Sequence, residues 1–215
     1  MGSKIRLLVP LCLVLALIGW DLWGPHHANL RVFDADAVAH LETRMWRNYY
    51  EKHEGALFRD IAVLLRTQYH LPWLRSYQVA YEASRAAFVF KRGRIRADYE
   101  KALPPLRRYY SAIRQVSEMP FDPERAARLD LEWWIVQRQR EMHVPEDLDK
   151  ALAALQAELY ALPAERFASH AHLRAAAMTL RDTHAQAQGV SPEDWQRIEE
   201  LLRQSWDELA RVVRS

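Results

Sequence analysis

From residue 34 onward, apolar positions recur at spacings of three and four in one stretch after another. The last stretch is the cleanest: Trp195, Ile198, Leu202, Trp206, Leu209 and Val213 form a single stripe, with arginines and acids on the other positions. This periodicity predicts helices near residues 34–53, 56–70, 72–91, 95–118, 122–143, 145–161, 163–187 and 192–213. Proline marks the starts, because the first helical turn needs no amide hydrogen: Pro72, Pro123, Pro145, Pro163 and Pro192 each precede a periodic stretch. Ser191 before Pro192, Glu193 and Asp194 adds a capping hydroxyl and acids at the positive helix end, and Asp122 before Pro123 and Glu124 does the same. Gly55, Gly93 and Gly189 fall at helix ends. Pro104 and Pro105 lie inside the fourth stretch and should kink or split it. No segment alternates with period two for long enough to be a strand, and connections of two to four residues imply antiparallel neighbours. The expected fold is therefore all-α, a bundle of about eight antiparallel helices over residues 34–215.

The N-terminus has a different pattern. From Ile5 to Trp23 the only charges are Arg6 and Asp21, and as a helix this stretch would rise about 28 Å, close to the hydrocarbon thickness of a bilayer. It reads either as a cleaved signal peptide, with Lys4 and Arg6 as its basic head, or as an uncleaved signal anchor. The anchor is preferred because no small-residue cleavage pair follows the apolar run, while Trp20 and Trp23 suit a membrane interface. The expected organisation is a signal anchor over residues 1–23, a linker over 24–33 and a helical domain over 34–215. Basic residues precede the span and none follows until Arg31, which places the N-terminus in the cytoplasm and the body outside it. Abundant arginine and alanine suggest a bacterial inner membrane and a periplasmic body. Cys12 sits inside the apolar run, where a lipidated cysteine would not, so the body has no cysteine and depends on packing alone.

Composition narrows the range of functions. The chain has 215 residues, 50% of them apolar, which is ample for one substantial core and excludes disorder. Thirty basic against 28 acidic side chains leave a net charge of +2, so nothing points to nucleic acid as a partner. Nine histidines invite a metal site, yet no two are three or four residues apart, and neither Glu-x-x-His nor His-Glu-x-x-His occurs. With no glycine-rich phosphate loop and no Gly-x-Ser-x-Gly nucleophile turn, the expectation is no metal, no cofactor and no catalytic residue.

Two carboxylates embedded in apolar helix stretches remain. Glu132 lies among Leu129, Leu131, Trp133, Trp134, Ile135 and Val136, and Glu82 lies among tyrosines and alanines with Arg85 one turn on. Each is either an acid with a raised pKa in a polar pocket or half of an ion pair, Glu132 with Arg128 or an arginine from another helix. Aromatic and basic residues interleave around Trp46 and Tyr109, which is consistent with core rings bordered by guanidinium groups. The expected function is an extracytoplasmic interaction or scaffold domain, held in the membrane through residues 5–23 and facing an envelope protein partner. The alternative is an enzyme or small-ligand-binding bundle with an interhelical pocket around Glu82, Arg85 and Glu132.

Overall fold

The computed structural model describes residues 2–187 and 189–215, with side chains from Pro10 onward. Among the described residues the regular elements are all helices: α1 (Gly2–Trp23), α2 (Ala35–Tyr50), α3 (Glu54–Tyr69), α4 (Trp73–Arg92), the short α5 (Arg96–Tyr99), α6 (Leu103–Val116), α7 (Pro123–Arg138), α8 (Pro145–Tyr160), α9 (Ala168–Ala187) and α10 (Pro192–Arg214), with short 3-10 turns between some of them. The starts follow the local chemistry. Asp34 caps α2 through the amide of Ala37, Asp122 caps α7, and Ser191 and Asp194 form a reciprocal capping box on α10. The stretch expected over 95–118 is split, and Pro104 and Pro105 occupy the first turn of α6, where their missing amides cost nothing.

Eight of these helices form a closed ring. α2 packs on α3, α3 on α4, α4 on α6, α6 on α7, α7 on α8, α8 on α9 and α9 on α10, and α10 returns to α2. Short connections make neighbours antiparallel, so alternate ends gather on the same side of the ring. One side carries the C-terminal ends of α3, α6, α8 and α10. Residues 24–33, expected as a linker, run across this side and are built into it. Ala28 bridges the end of α6, donating to the Val116 carbonyl and accepting from Glu118. Leu30 is completely buried, with its carbonyl facing the Tyr160 hydroxyl at the end of α8. Phe33 packs edge-on against Trp206 of α10, and Arg214 donates to the carbonyls of Arg31 and Phe33. This segment stops one end of the ring.

α1 leaves the ring at that stopped end and touches it mainly at α4. Its outer part is bare: Leu11, Leu13, Leu15, Leu17 and Trp20 are each more than half exposed. Among the described residues no helix is long and apolar enough to cross a membrane. The transmembrane helix expected over 5–23 is therefore not supported. Lys4 and Arg6, expected as its basic head, lie outside the described side chains.

Candidate binding cavity

Eight helices in a ring enclose more space than their inward side chains fill, and a cavity of about 760 Å³ occupies the centre. All eight contribute to its wall. Its body is aromatic, from Trp46, Tyr69, Phe88, Tyr109, Trp133 and Trp134 among others. Alanines of α4, Ala83 and Ala87, keep one side of the wall thin. The exposed rim residues Tyr50, Arg138, Glu141 and Gln186 belong to the helix ends opposite the stopped side, so the cavity opens away from α1.

Two polar groups are sunk into its floor. The first is built on Glu42 of α2, which is 1% exposed. Arg174 of α9 grips its Oε1, with Nε at 3.1 Å, and the indole of Trp206 donates to Oε2 at 2.7 Å. The Arg174 guanidinium also lies over the Trp133 ring, 5.3 Å from its centre. Burial opposes the Arg174 charge, but the adjacent Glu42 outweighs it and holds its pKa above the ordinary arginine value. The second group is Asp130 of α7, also buried. Its Oδ1 accepts from the Trp133 indole at 2.6 Å, with the Tyr110 hydroxyl and Trp134 indole alongside. Desolvation pushes its carboxyl up to about 6, against the opposing pull of those donors and of the Arg174 charge. Burial likewise raises the phenols of Tyr69, Tyr109 and Tyr110, which stay protonated as neutral donors.

The polar inventory of the wall is unbalanced. Gln137 donates through Nε2 to Asp182, leaving its Oε1 buried without a partner, and Oε1 of Gln156 and the Ser84 hydroxyl are buried and unpartnered as well. A buried polar atom left without a partner costs about 1–3 kcal/mol, and all three of these residues line the cavity. At the mouth the cations are occupied. Arg140 and Arg181 both pair with Asp182, at 2.6 and 2.9 Å, and Arg138 rests over the rings of Phe90 and Tyr99.

Glu82 and Glu132 lie elsewhere. Neither lines the cavity, and the structure does not bring them together. Glu82 faces out between α4 and α6, paired with Arg108 at 3.0 Å and with Arg85 at 3.7 Å. Glu132 is on the outer side of α7, paired with Arg96 at 2.9 Å rather than with Arg128, which bonds Glu124. The floor residues sit on the same helices, two positions away in each case: Ser84 beside Glu82 and Asp130 beside Glu132. Two residues turn a helix by about 200°, from its outer face to its inner one. Among the described residues no group of three or more histidine, cysteine or acidic side chains is arranged to hold a metal.

Comparison with known protein families, with curated proteins and with solved structures finds no match for this chain.

Proposed function

We propose that this protein is a small-molecule-binding domain whose ligand enters the ring at the end remote from α1 and rests among the aromatic side chains above Asp130. The observation that carries this reading is a roomy aromatic cavity whose wall holds buried acceptors with no partner, Oε1 of Gln137 and of Gln156. The volume lies in the range of small-molecule sites, about 300–1,000 Å³, and few convergent polar groups on an apolar wall are what such sites present. The test is ligand-observed NMR on the full chain with indole as a neutral probe. Wild type should show one saturable site, and Ala87→Trp, which fills the cavity from α4, should lose it. Equal responses from the two proteins would overturn the reading.

A specific observation supports a second role for the N-terminus. The exposed leucines of α1 form the largest run of apolar surface among the described residues, and an apolar surface of this kind requires a cover. We propose that α1 is covered by lipid and holds the domain at a membrane surface, with the cavity mouth turned away. This agrees with the anchored, extracytoplasmic body expected from the charge pattern, and it leaves the stopped end as the docking side for an envelope partner. Alkaline carbonate extraction should leave the chain with membranes, and a freely soluble full-length chain would overturn it.

A further inference from the structure

The pattern of charge and hydrogen-bonding capacity in the cavity specifies its ligand more narrowly than its size does, and the argument rests on the small-molecule reading above. The charged and indole donors of the floor are already used. Arg174 is committed to Glu42, the Trp206 indole to the same carboxylate, the Trp133 indole to Asp130, and the Tyr69 hydroxyl to the Tyr109 oxygen. What remains is mostly acceptors: Oε1 of Gln156, which is 4% exposed, Oε1 of Gln137, and the Asp130 carboxylate, with the Ser84 hydroxyl able to act either way. Among the described residues Asp130 is the one buried carboxylate on the cavity wall with no cation in contact, since Glu42 has Arg174 and Asp182 has Arg140 and Arg181. Trp133 and Trp134 turn their indole N–H edges to Asp130, and with Tyr109 and Trp46 they make the cavity wall aromatic, a lining whose π-systems attract positive charge. A carboxylate in an aromatic cavity with unpartnered amide oxygens on its wall disfavours an anion, which would meet repulsion from Asp130 and find only neutral hydroxyl donors such as Ser84. It is complementary to a group that brings both donors and positive charge.

We infer that the cavity is a site for a small organic cation, a protonated amine carried on an apolar or aromatic body, with its ammonium on Asp130 and the Gln156 carbonyl and its body against the tryptophans. Lysine-like free charge is not required of the rest of the molecule, because the wall beyond the floor is apolar.

The experiment is competition against indole by three compounds of matched shape and different charge: 2-phenylethylammonium, 2-phenylethanol and hydrocinnamate. With the full-length wild type at pH 7.5 the ammonium should displace indole at a concentration at least tenfold lower than either of the others. In Asp130→Asn, which keeps an acceptor for the Trp133 indole, the tenfold preference of the ammonium over the alcohol and the acid should disappear, whatever the variant's own affinity for indole. A second measurement needs no variant: the wild-type preference should decline as pH falls from 7 to 5. The charged groups facing Asp130 are Arg174 and its partner Glu42, and the surrounding tyrosines stay neutral throughout this range. Displacement by hydrocinnamate or the alcohol as good as by the ammonium would overturn the cation assignment while leaving the pocket intact, as would a preference unchanged by Asp130→Asn or by pH. Failure of indole itself to bind would overturn the pocket and the assignment together.

Discussion

Asp21 and Arg75 clasp each other across the junction between α1 and the ring. The Asp21 carboxylate accepts from the backbone amides of Trp73, Leu74 and Arg75, at 3.1, 2.8 and 3.2 Å, and so caps α4 from outside that helix. Arg75 returns the contact, donating to the carbonyls of Leu22 and Gly24 at 2.9 and 3.0 Å. α4 begins with Pro72 in the capping position, which offers no side-chain acceptor, and Asp21 supplies the missing one. The chain turns at Gly24, where a Cβ would collide with the Trp20 carbonyl. The apolar helix is thus fixed to the body rather than hung on a tether. Asp21→Ala should remove a cap worth about 1 kcal/mol. Hydrogen exchange should then speed up several-fold at the amides of Trp73, Leu74 and Arg75, and a spin-label pair across α1 and α4 should show a broader distance distribution. Unchanged exchange at those three amides would contradict the clasp.

The Glu42 and Arg174 pair joins α2 to α9 across the floor of the cavity, and both charges are largely removed from water. Taking away one partner leaves the other uncompensated, at a cost of about 3–5 kcal/mol. Arg174→Met should therefore destabilise the fold by that order in denaturant titration. Arg174→Met combined with Glu42→Gln should recover much of the loss, because the amide can still accept from the Trp206 indole. A double variant as unstable as the single one would show that the arginine acts through packing on Trp133 instead of through charge.

Glu82 and Glu132 make an opposite case. Both are ion-paired on the outside of the ring, and exposed pairs contribute about 0–1 kcal/mol. Glu132→Gln should shift the denaturation midpoint only slightly and leave indole binding as it is. Glu82→Gln should also leave binding unchanged, at a somewhat larger stability cost, since its side chain is only 16% exposed and serves two arginines. Loss of indole binding in either variant would return these residues to the site.

These contrasts explain what could be read from the chain and what could not. Helix limits were legible because proline and capping residues act within a turn, and the split at Pro104 and Pro105 follows from backbone chemistry alone. The face of α7 was not legible: Leu129, Leu131, Trp133, Trp134, Ile135 and Val136 make it apolar almost all round, so periodicity could not decide between Asp130 and Glu132. A subtler signal was present in the spacing of polar and aromatic positions. Asp130, Trp133, Trp134 and Gln137 share one face at steps of three and one, as do Glu42, Met45, Trp46 and Tyr49, and each set lines the cavity. The pairing of Glu42 with Arg174 spans 132 residues and exists only once α10 closes the ring beside α2. Residues 24–33 carry few helical signals and read as a linker, since nothing local shows that Leu30 and Phe33 will meet α8 and α10.

Asp130 and His170 are both buried, and their titrations bias stability in opposite directions. Burial raises the Asp130 carboxyl to about 6 from an ordinary value near 3.8, so between these limits the folded chain binds the extra proton and stability falls as pH rises. Burial, assisted by the Arg174 charge, lowers the His170 imidazole to about 3 from 6.5, with its Nδ1 held near the Ser205 hydroxyl and carbonyl at 2.8 and 2.9 Å. Between those limits the unfolded chain binds the extra proton, so stability rises with pH. The two windows overlap from about pH 4 to pH 6, where one proton gained by folding offsets one lost, and the summed contribution of the pair is nearly flat. Asp130→Asn removes one side of the balance. Its stability relative to wild type should fall by roughly 1.4 kcal/mol per pH unit as pH drops through that window, and near pH 7 the variant should be the more stable protein by on the order of 2 kcal/mol. His170→Gln should show the reverse trend, gaining on wild type as pH falls from 6 to 4. Urea denaturation of the three proteins at pH 4.5, 5.5 and 7.5 checks both signs. The differences between variants isolate these groups from carboxylates such as Asp98 and Asp194, which titrate alike in all three. Parallel stability curves for wild type and Asp130→Asn would mean that Asp130 is hydrated in solution and that the cavity floor is open to water.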